Sequence, residues 1–176
     1  MPDPVLVFNP AAEPGTAMDH ETIVNDICAA AQEVFSTMLG VEVAPGPAFT
    51  QNAPGGAGDG VMSLIGLAGP WTGAGSIMCS AACACKMASF LLMTEYTAVN
   101  HEVLDAMAEL TNMIVGSFKT LIEPRTGALG LSIPSVVYGH NFMFRNGSSE
   151  EWTVIPLRFG EHELELRLCL ARSQER

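Results

Sequence analysis

The residues whose side chains could take part in a reaction are concentrated in one stretch of the sequence, residues 100–123. They recur at i, i+4, i+7 and i+11, which at about 100° per residue places them on one narrow stripe of a helix. The four are Asp105, Glu109, Asn112 and Gly116. Such a stripe contains no hydroxyl or thiol nucleophile, but a carboxamide both donates and accepts hydrogen bonds and can hold a water molecule. These side chains could therefore complete the active site of another protein, but they are not suited to covalent hydrolysis by themselves.

The opposite side of the same helix is apolar, and its periodicity predicts that it faces a core. It comprises Val103, Leu104, Met107, Leu110, Ile114, Phe118 and Leu121. Any surface helix has such a pattern, so the pattern alone does not indicate a function. Two details favour one. Gly116 costs about 1 kcal/mol relative to Ala in a helix interior, and asparagine is a mediocre helix former. A glycine on the exposed side would let another molecule come close.

The motif Asp105-x3-Glu109-x2-Asn112, followed after twenty-one residues by Pro134, resembles the signature of the CheC/CheX/FliY family of chemotaxis phosphatases. The surrounding segments AELTNMIVGSFKTL and LSIPSVVYG are similar to CheX-type members in particular. A lone Glu-x-x-Asn is common, whereas the full spacing with its apolar context is far more specific. The resemblance extends from about residue 19 to the end of the chain.

The resemblance implies a phosphatase acting on the aspartyl phosphate of a CheY-like response regulator. Asn112 would orient the attacking water, and Glu109 would contact the active-site lysine of the regulator's receiver domain. Asp105 would be a peripheral contact of the partner, and Gly116 would leave room for the partner's loops. Pro134 is expected to shape the turn into the following strand rather than touch phosphate.

The same resemblance implies which other molecules take part. No cofactor belongs to the chain itself, and Mg²⁺ is expected in the partner response regulator. A homodimer joined through sheet edges is implied as well. The identity of the regulator, and the pathway it serves, do not follow from the sequence.

Composition limits the class of protein. A length of 176 residues with 48% hydrophobic content suits one domain with a core. Residues 1–17 hold four prolines and no helical or strand period, which predicts a flexible N-terminal tail before a CheX-like domain at 18–176. Neither a signal peptide nor a membrane span is indicated, so we expect a cytoplasmic protein. A net charge of −11 argues against nucleic acid and anionic membranes as partners.

The order of elements predicts an α+β single-domain fold in which long helices pack on a largely antiparallel sheet, and the resemblance implies the CheC-like version of it. Helices are predicted at 19–40, 80–96 and 100–123. Gly40 is expected to end the first, Ser80 to cap the second, and Pro124 and Gly127 to end the third. Strands are predicted at 41–43, 61–68, 75–79, 130–138, 141–145, 151–159 and 162–171, with a turn at 146–148. The strands at 61–68 and 75–79 are expected to form a hairpin through the turn around Gly69, Pro70, Trp71 and Gly73.

Two of these elements carry a detailed pattern. The first helix has an apolar stripe of Ile23, Ile27, Ala30, Val34 and Met38. In the last strand, leucines at 164, 166, 168 and 170 alternate with Glu163, Glu165, Arg167 and Cys169, which predicts one buried and one wet face.

Two other functions stay open. A non-catalytic module could use the same helix to dock a receiver domain or a flagellar switch component while keeping Glu109 and Asn112. A metal- or redox-sensing domain could be built on Cys79, Cys83 and Cys85, although their spacing lacks the paired CxxC of a structural zinc site. Small buried thiols are the stronger prediction for these three.

Overall fold

The computed structural model describes residues 18–52, 58–142 and 151–173. The predicted tail at 1–17, the predicted turn at 146–148 and residues 143–145 of the strand predicted at 141–145 lie outside these residues. The helices are α1 (His20–Val34), α2 (Ala81–Leu92) and α3 (His101–Thr126), and a π-helical turn (Phe35–Leu39) continues α1. The strands are β1 (Ala44–Pro45), β2 (Phe49–Gln51), β3 (Gly58–Ala68), β4 (Trp71–Cys79), β5 (Gly130–Leu131), β6 (Ser135–Phe142), β7 (Trp152–Phe159) and β8 (His162–Arg172).

The described strands form one eight-stranded sheet in the order β1-β7-β8-β4-β3-β5, with β2 beside β7 and β6 beside β3. All their pairings are antiparallel. Helices α2 and α3 pack on this sheet, and α3 also contacts both α1 and α2. The predicted α+β fold is confirmed. No helix among the described residues is long and apolar enough to cross a membrane.

Gly75 determines how closely α3 approaches the sheet. A Cβ atom at this position would lie 2.5 Å from Cγ2 of Val115, so a side chain there would force the helix outward. Val115 lies between Asn112 and Gly116 on the same helix. Because Ile114 and Phe118 are fully buried on the same side, the central turns of α3 are fixed on the core.

The apolar stripe of α1 differs from the prediction at its end. Met38 was expected in the core, but it is 48% exposed and its neighbour Leu39 is buried instead. The cause is the π-helical turn, which adds a residue to the turn and shifts the apolar face by one position. Gly40, at φ 68°, then ends the helix as predicted.

Helix α3 begins where the sequence indicates, because the Asn100 side chain caps it by accepting a hydrogen bond from the Val103 N–H at 3.0 Å. Of the two residues predicted to end the helix, Gly127 does so and Pro124 does not. Proline removes a single N–H donor, and the helix continues through Thr126 until the Gly127 N–H bonds the Glu123 carbonyl at 2.9 Å.

Leu121 was predicted to lie in the core and is instead 42% exposed. Ile122 is fully buried in its place. Near the end of α3 the inward positions follow i+4 steps from Ile114 through Phe118 to Ile122, so the stripe passes Leu121 by one residue.

Several predicted boundaries change in the structure. The hairpin of β3 and β4 is confirmed, with longer strands and a shorter turn at Gly69 and Pro70. Helix α2 is capped by Ser80 as predicted but ends at Leu92 rather than at residue 96, because Met93 adopts a left-handed conformation with φ 51°. The strand predicted at 41–43 lies at 44–45, and the one predicted at 130–138 divides into β5 and β6.

The last strand is less exposed than its alternation predicts. Leu164, Leu166 and Leu168 are buried against the helices as expected. On the other face Arg167 and Cys169 are also buried, so the predicted wet face is wrong for these two. Strand β8 lies in the middle of the sheet, where Cys169 packs with Ala74 and Trp152. Arg167 pairs with Glu165 at 2.5 Å.

Candidate functional site

The structure brings the four predicted residues together on the outward face of α3. Asp105 and Glu109 are exposed, while Asn112 and Gly116 are half-buried. On the inward side of the same turns, Leu110 is buried and the buried Thr111 hydroxyl donates to the Met107 carbonyl at 2.8 Å. The stripe is thus a set of outward groups on a helix fixed to the core.

Within the described part of the chain, the side chains of Glu109 and Asn112 form no hydrogen bond or ion pair. Charged residues near the end of α3 differ in this respect. Glu123 accepts from the Leu129 N–H at 2.9 Å and pairs with Lys119 at 2.7 Å, and these contacts, the backbone hydrogen bond first, lower the pKa of its carboxyl. A polar pair without an internal partner keeps its hydrogen-bonding capacity for another molecule.

Gly116 has no packing requirement among the described residues. A Cβ atom there would meet a single neighbouring atom, Cδ1 of Leu131, at an ordinary 3.8 Å. The helix therefore carries a residue of poor helix propensity where a larger one would fit.

Strand β5 reaches the same end of the stripe through its last residue, Leu131, and leads into a loop. Ser132 fixes this loop to β3, since its N–H donates to the Gly66 carbonyl and its hydroxyl accepts from the Gly66 N–H, both at 2.9 Å. Pro134 directly precedes β6, the place expected for a residue that shapes the turn into that strand. Ile133, next to it, is almost fully exposed.

An apolar groove borders the stripe, and the sequence did not indicate it. It lies between α3, the end of α2 and the π-helical turn, and Asp105 and Glu109 line it together with Met38 and Leu92. Periodicity assigned Met38 to the core, so no signal in the pattern predicted its position here.

The cysteines predicted as small buried thiols have that environment. Cys79, Cys83 and Cys85 are buried and unpaired by disulfides. The pKa of Cys79 is raised well above its ordinary value, first by a hydrogen bond with the Cys83 thiol and then by burial. This environment disfavours the thiolate needed for reactivity. No group of three or more potential metal-ligating side chains occurs among the described residues.

Solved structures place the fold in the CheC-like class. A CheC-like superfamily protein from Shewanella sp. PV-4 is 25% identical, with a TM-score of 0.77 over 88% of this chain and 99% of that one. A putative chemotaxis protein from Desulfovibrio vulgaris Hildenborough is 25% identical, with a TM-score of 0.76 over 85% and 96%. A Borrelia burgdorferi CheX–CheY–BeF3–Mg²⁺ complex contains a match at 24% identity, with a TM-score of 0.74 over 85% and 98%.

The family model described as "Chemotaxis phosphatase CheX" matches residues 61–158. The chain belongs to this CheX family, as its motif predicted. The matched region contains all of α3 and Pro134. No curated protein sequence matches the chain.

Proposed function

We propose that this protein accelerates hydrolysis of the aspartyl phosphate on a CheY-like response-regulator receiver domain in the cytoplasm. The observation that carries the proposal is the pair Glu109 and Asn112, presented outward on a fixed helix without hydrogen-bond partners among the described residues. Membership of a family described as chemotaxis phosphatases supports it. A similarly folded Borrelia protein was solved with CheY, BeF3 and Mg²⁺, which supports a receiver domain as partner.

Division of labour between the two proteins explains why so little chemistry is needed here. The receiver domain brings the phosphoryl group, Mg²⁺ and a lysine, and it already hydrolyses its phosphate slowly. The transition state of phosphoryl transfer is loose and neutralised by the metal, so positioning is the main contribution left to make.

Asn112 supplies that positioning in our proposal. Its amide oxygen accepts a hydrogen bond from the attacking water while its NH2 group donates toward the phosphoryl oxygens, so one side chain fixes the water in line with phosphorus. Glu109, one turn earlier, pairs with the receiver's lysine and sets the register of α3 across the partner. Asp105 contacts the partner's periphery.

The basic test is phosphate loss from phosphorylated CheY-like receiver domains in the presence of Mg²⁺, with and without this protein. Acceleration that saturates with protein concentration supports the proposal. If the protein binds the phosphorylated receiver and leaves the decay rate unchanged, it is a docking module instead.

Gly116→Ala tests separately whether the partner approaches this position and how much the glycine costs in stability. The new methyl group fits beside Leu131, so we expect stability to rise by up to about 1 kcal/mol and the melting temperature by about 2–4 °C. If a loop of the receiver approaches this position, dephosphorylation should fall several-fold in the same variant. Thermal melting and the phosphate-loss assay give the two values.

Gly116→Leu extends this comparison, because a larger side chain should weaken receiver binding further. Undiminished dephosphorylation by both variants would show that no partner atom comes near Gly116.

Dimerisation through a sheet edge is the second part of the proposal, implied by the family. Among the described residues β6 pairs with β3 alone, which leaves its other edge without a neighbour, and Val137 and Tyr138 on this strand are exposed. An unpaired edge with apolar side chains is suited to pairing with a second copy. We expect a dimer in sedimentation equilibrium and a monomer for Val137→Lys, because an edge lysine opposes strand pairing. A monomeric wild-type protein at high micromolar concentration would exclude this interface.

A further inference from the structure

The groove beside the stripe has no role in the mechanism above. It is bounded by the π-helical turn, the end of α2 and the outward face of α3, and its volume is about 610 Å³. Its lining residues are Met38, Leu91, Leu92, Glu102, Asp105, Ala106, Glu109 and Met113. Apolar side chains form most of this lining, and every charged residue in it is acidic.

Two local backbone features keep apolar side chains exposed at the groove. The π-helical turn moves Met38 out of the core, and the left-handed conformation of Met93 ends α2 directly after Leu92. Leu92 is 42% exposed, and Met93 is 91% exposed. Exposed methionines beside an apolar groove are typical of surfaces that adapt to a partner protein. A positive φ at a residue with a side chain is an unfavourable feature that often accompanies such sites.

Charge determines what kind of surface can enter. Glu102, Asp105 and Glu109 lie along the α3 side of the groove, and no lysine or arginine among the described residues lines it. Lys86 of α2 lies instead over the Phe90 ring, 4.9 Å from its centre. An acidic segment would be repelled here, whereas an apolar side chain with a basic neighbour would be complementary to both the lining and its charge.

The groove is continuous with the candidate site. Glu109 belongs to both, and Met113 follows Asn112 directly in sequence. A protein surface that covers Glu109 therefore also covers one wall of the groove. The same surface can place a side chain in it without a second docking event.

We infer that the groove receives an apolar side chain of the receiver domain, flanked on that domain by at least one lysine or arginine, and that it selects which response regulator is dephosphorylated. This inference rests on the proposed function. The groove contributes affinity and specificity, while Asn112 contributes the rate of the chemical step.

Two leucines offer a matched pair of variants. Leu92 and Leu121 are each 42% exposed on a helix, and of the two Leu92 alone lines the groove. Leu92→Ser and Leu121→Ser are titrated against the CheY-like receiver domains of the source genome, loaded with beryllofluoride and Mg²⁺. In a separate assay, each variant is added at saturating concentration to the phosphorylated receiver domains, and the rate of phosphate loss is measured. We expect about a tenfold higher Kd for Leu92→Ser with an unchanged saturated rate, and no change for Leu121→Ser.

Each outcome separates the inference from the function on which it rests. If Leu92→Ser has the wild-type Kd and still accelerates phosphate loss, the inferred binding in the groove is wrong and the phosphatase proposal stands. Equal weakening by both serine variants also overturns the inferred binding in the groove, as does a lower saturated rate at unchanged Kd. A wild-type protein that never accelerates phosphate loss overturns both. Thermal melting verifies folding, and Met38→Ser is the second groove variant if Leu92→Ser fails to fold.

Discussion

Asn112→Ala should lose the acceleration of phosphate loss by at least about a hundredfold while still binding the phosphorylated receiver. The variant removes the one group proposed to hold the attacking water, and misplacing a reactant by about 1 Å costs a factor of this size. Binding should persist because Glu109 and the groove are untouched. Stopped-flow or radiolabel decay of the phosphorylated receiver measures the rate, and titration with the beryllofluoride form measures Kd.

Asn25→Ala is the matched control, since Asn25 is an exposed asparagine on α1, away from the stripe. Both substitutions replace a mediocre helix former by alanine, so both should raise stability slightly, by roughly 0.5 kcal/mol. A loss of activity confined to Asn112→Ala then reflects the lost carboxamide and not the fold. Full acceleration by Asn112→Ala would exclude water positioning by this residue.

Asn112→Asp tests the donor half of the same side chain. A carboxylate has nearly the shape of the amide and can still accept from water, but it cannot donate to a phosphoryl oxygen and adds a negative charge beside it. We expect this variant to be no more active than Asn112→Ala. Activity near wild type would mean that accepting from the water is sufficient.

The candidate stripe could be predicted from the sequence because α3 is a regular helix. With 3.6 residues per turn, Asp105, Glu109 and Asn112 must share a face once the apolar side is fixed, and the structure keeps that face outward. The Ser80 cap and the hairpin turn at Gly69 and Pro70 were predictable for a similar reason, since each depends on chemistry within a few residues.

The groove could not be predicted from the sequence in this way. Its exposed methionine depends on a π-helical turn, and nothing in the periodicity of α1 distinguishes Met38 from a core residue. Its other wall depends on Met93 adopting a left-handed conformation that local propensity assigns to glycine or asparagine. Both irregularities arise where the chain leaves regular helical geometry, and tertiary packing overrides local preference there.

The burial of Arg167 and Cys169 failed to follow from alternation for a different reason. Alternation predicts two faces for a strand, but whether the second face meets water depends on which strands lie beside it. Strand β8 lies between β7 and β4, an arrangement that connects distant parts of the sequence. Topology of this kind is not encoded within the strand itself.

Glu109→Lys should raise the Kd for the phosphorylated receiver by about a hundredfold and lower dephosphorylation accordingly. The proposed partner of Glu109 is the receiver's active-site lysine, so reversal places two cations in contact where an ion pair stood, which costs several kcal/mol before solvent screening. Glu109 is exposed, and screening should reduce that cost. Glu109→Gln keeps the shape and removes the charge, so about a tenfold loss is expected.

Salt dependence distinguishes a direct ion pair from a change in overall charge. Wild-type affinity should weaken as ionic strength rises, and the affinity of Glu109→Gln should depend less on ionic strength. Glu161→Lys, in the exposed turn between β7 and β8, changes the net charge by the same amount as Glu109→Lys. If the two reversals weaken binding equally, Glu109 acts through the charge of the whole protein, which stands at −11, and not by setting the register of α3. A large effect at residue 109 alone makes the contact specific, because net charge is then held equal.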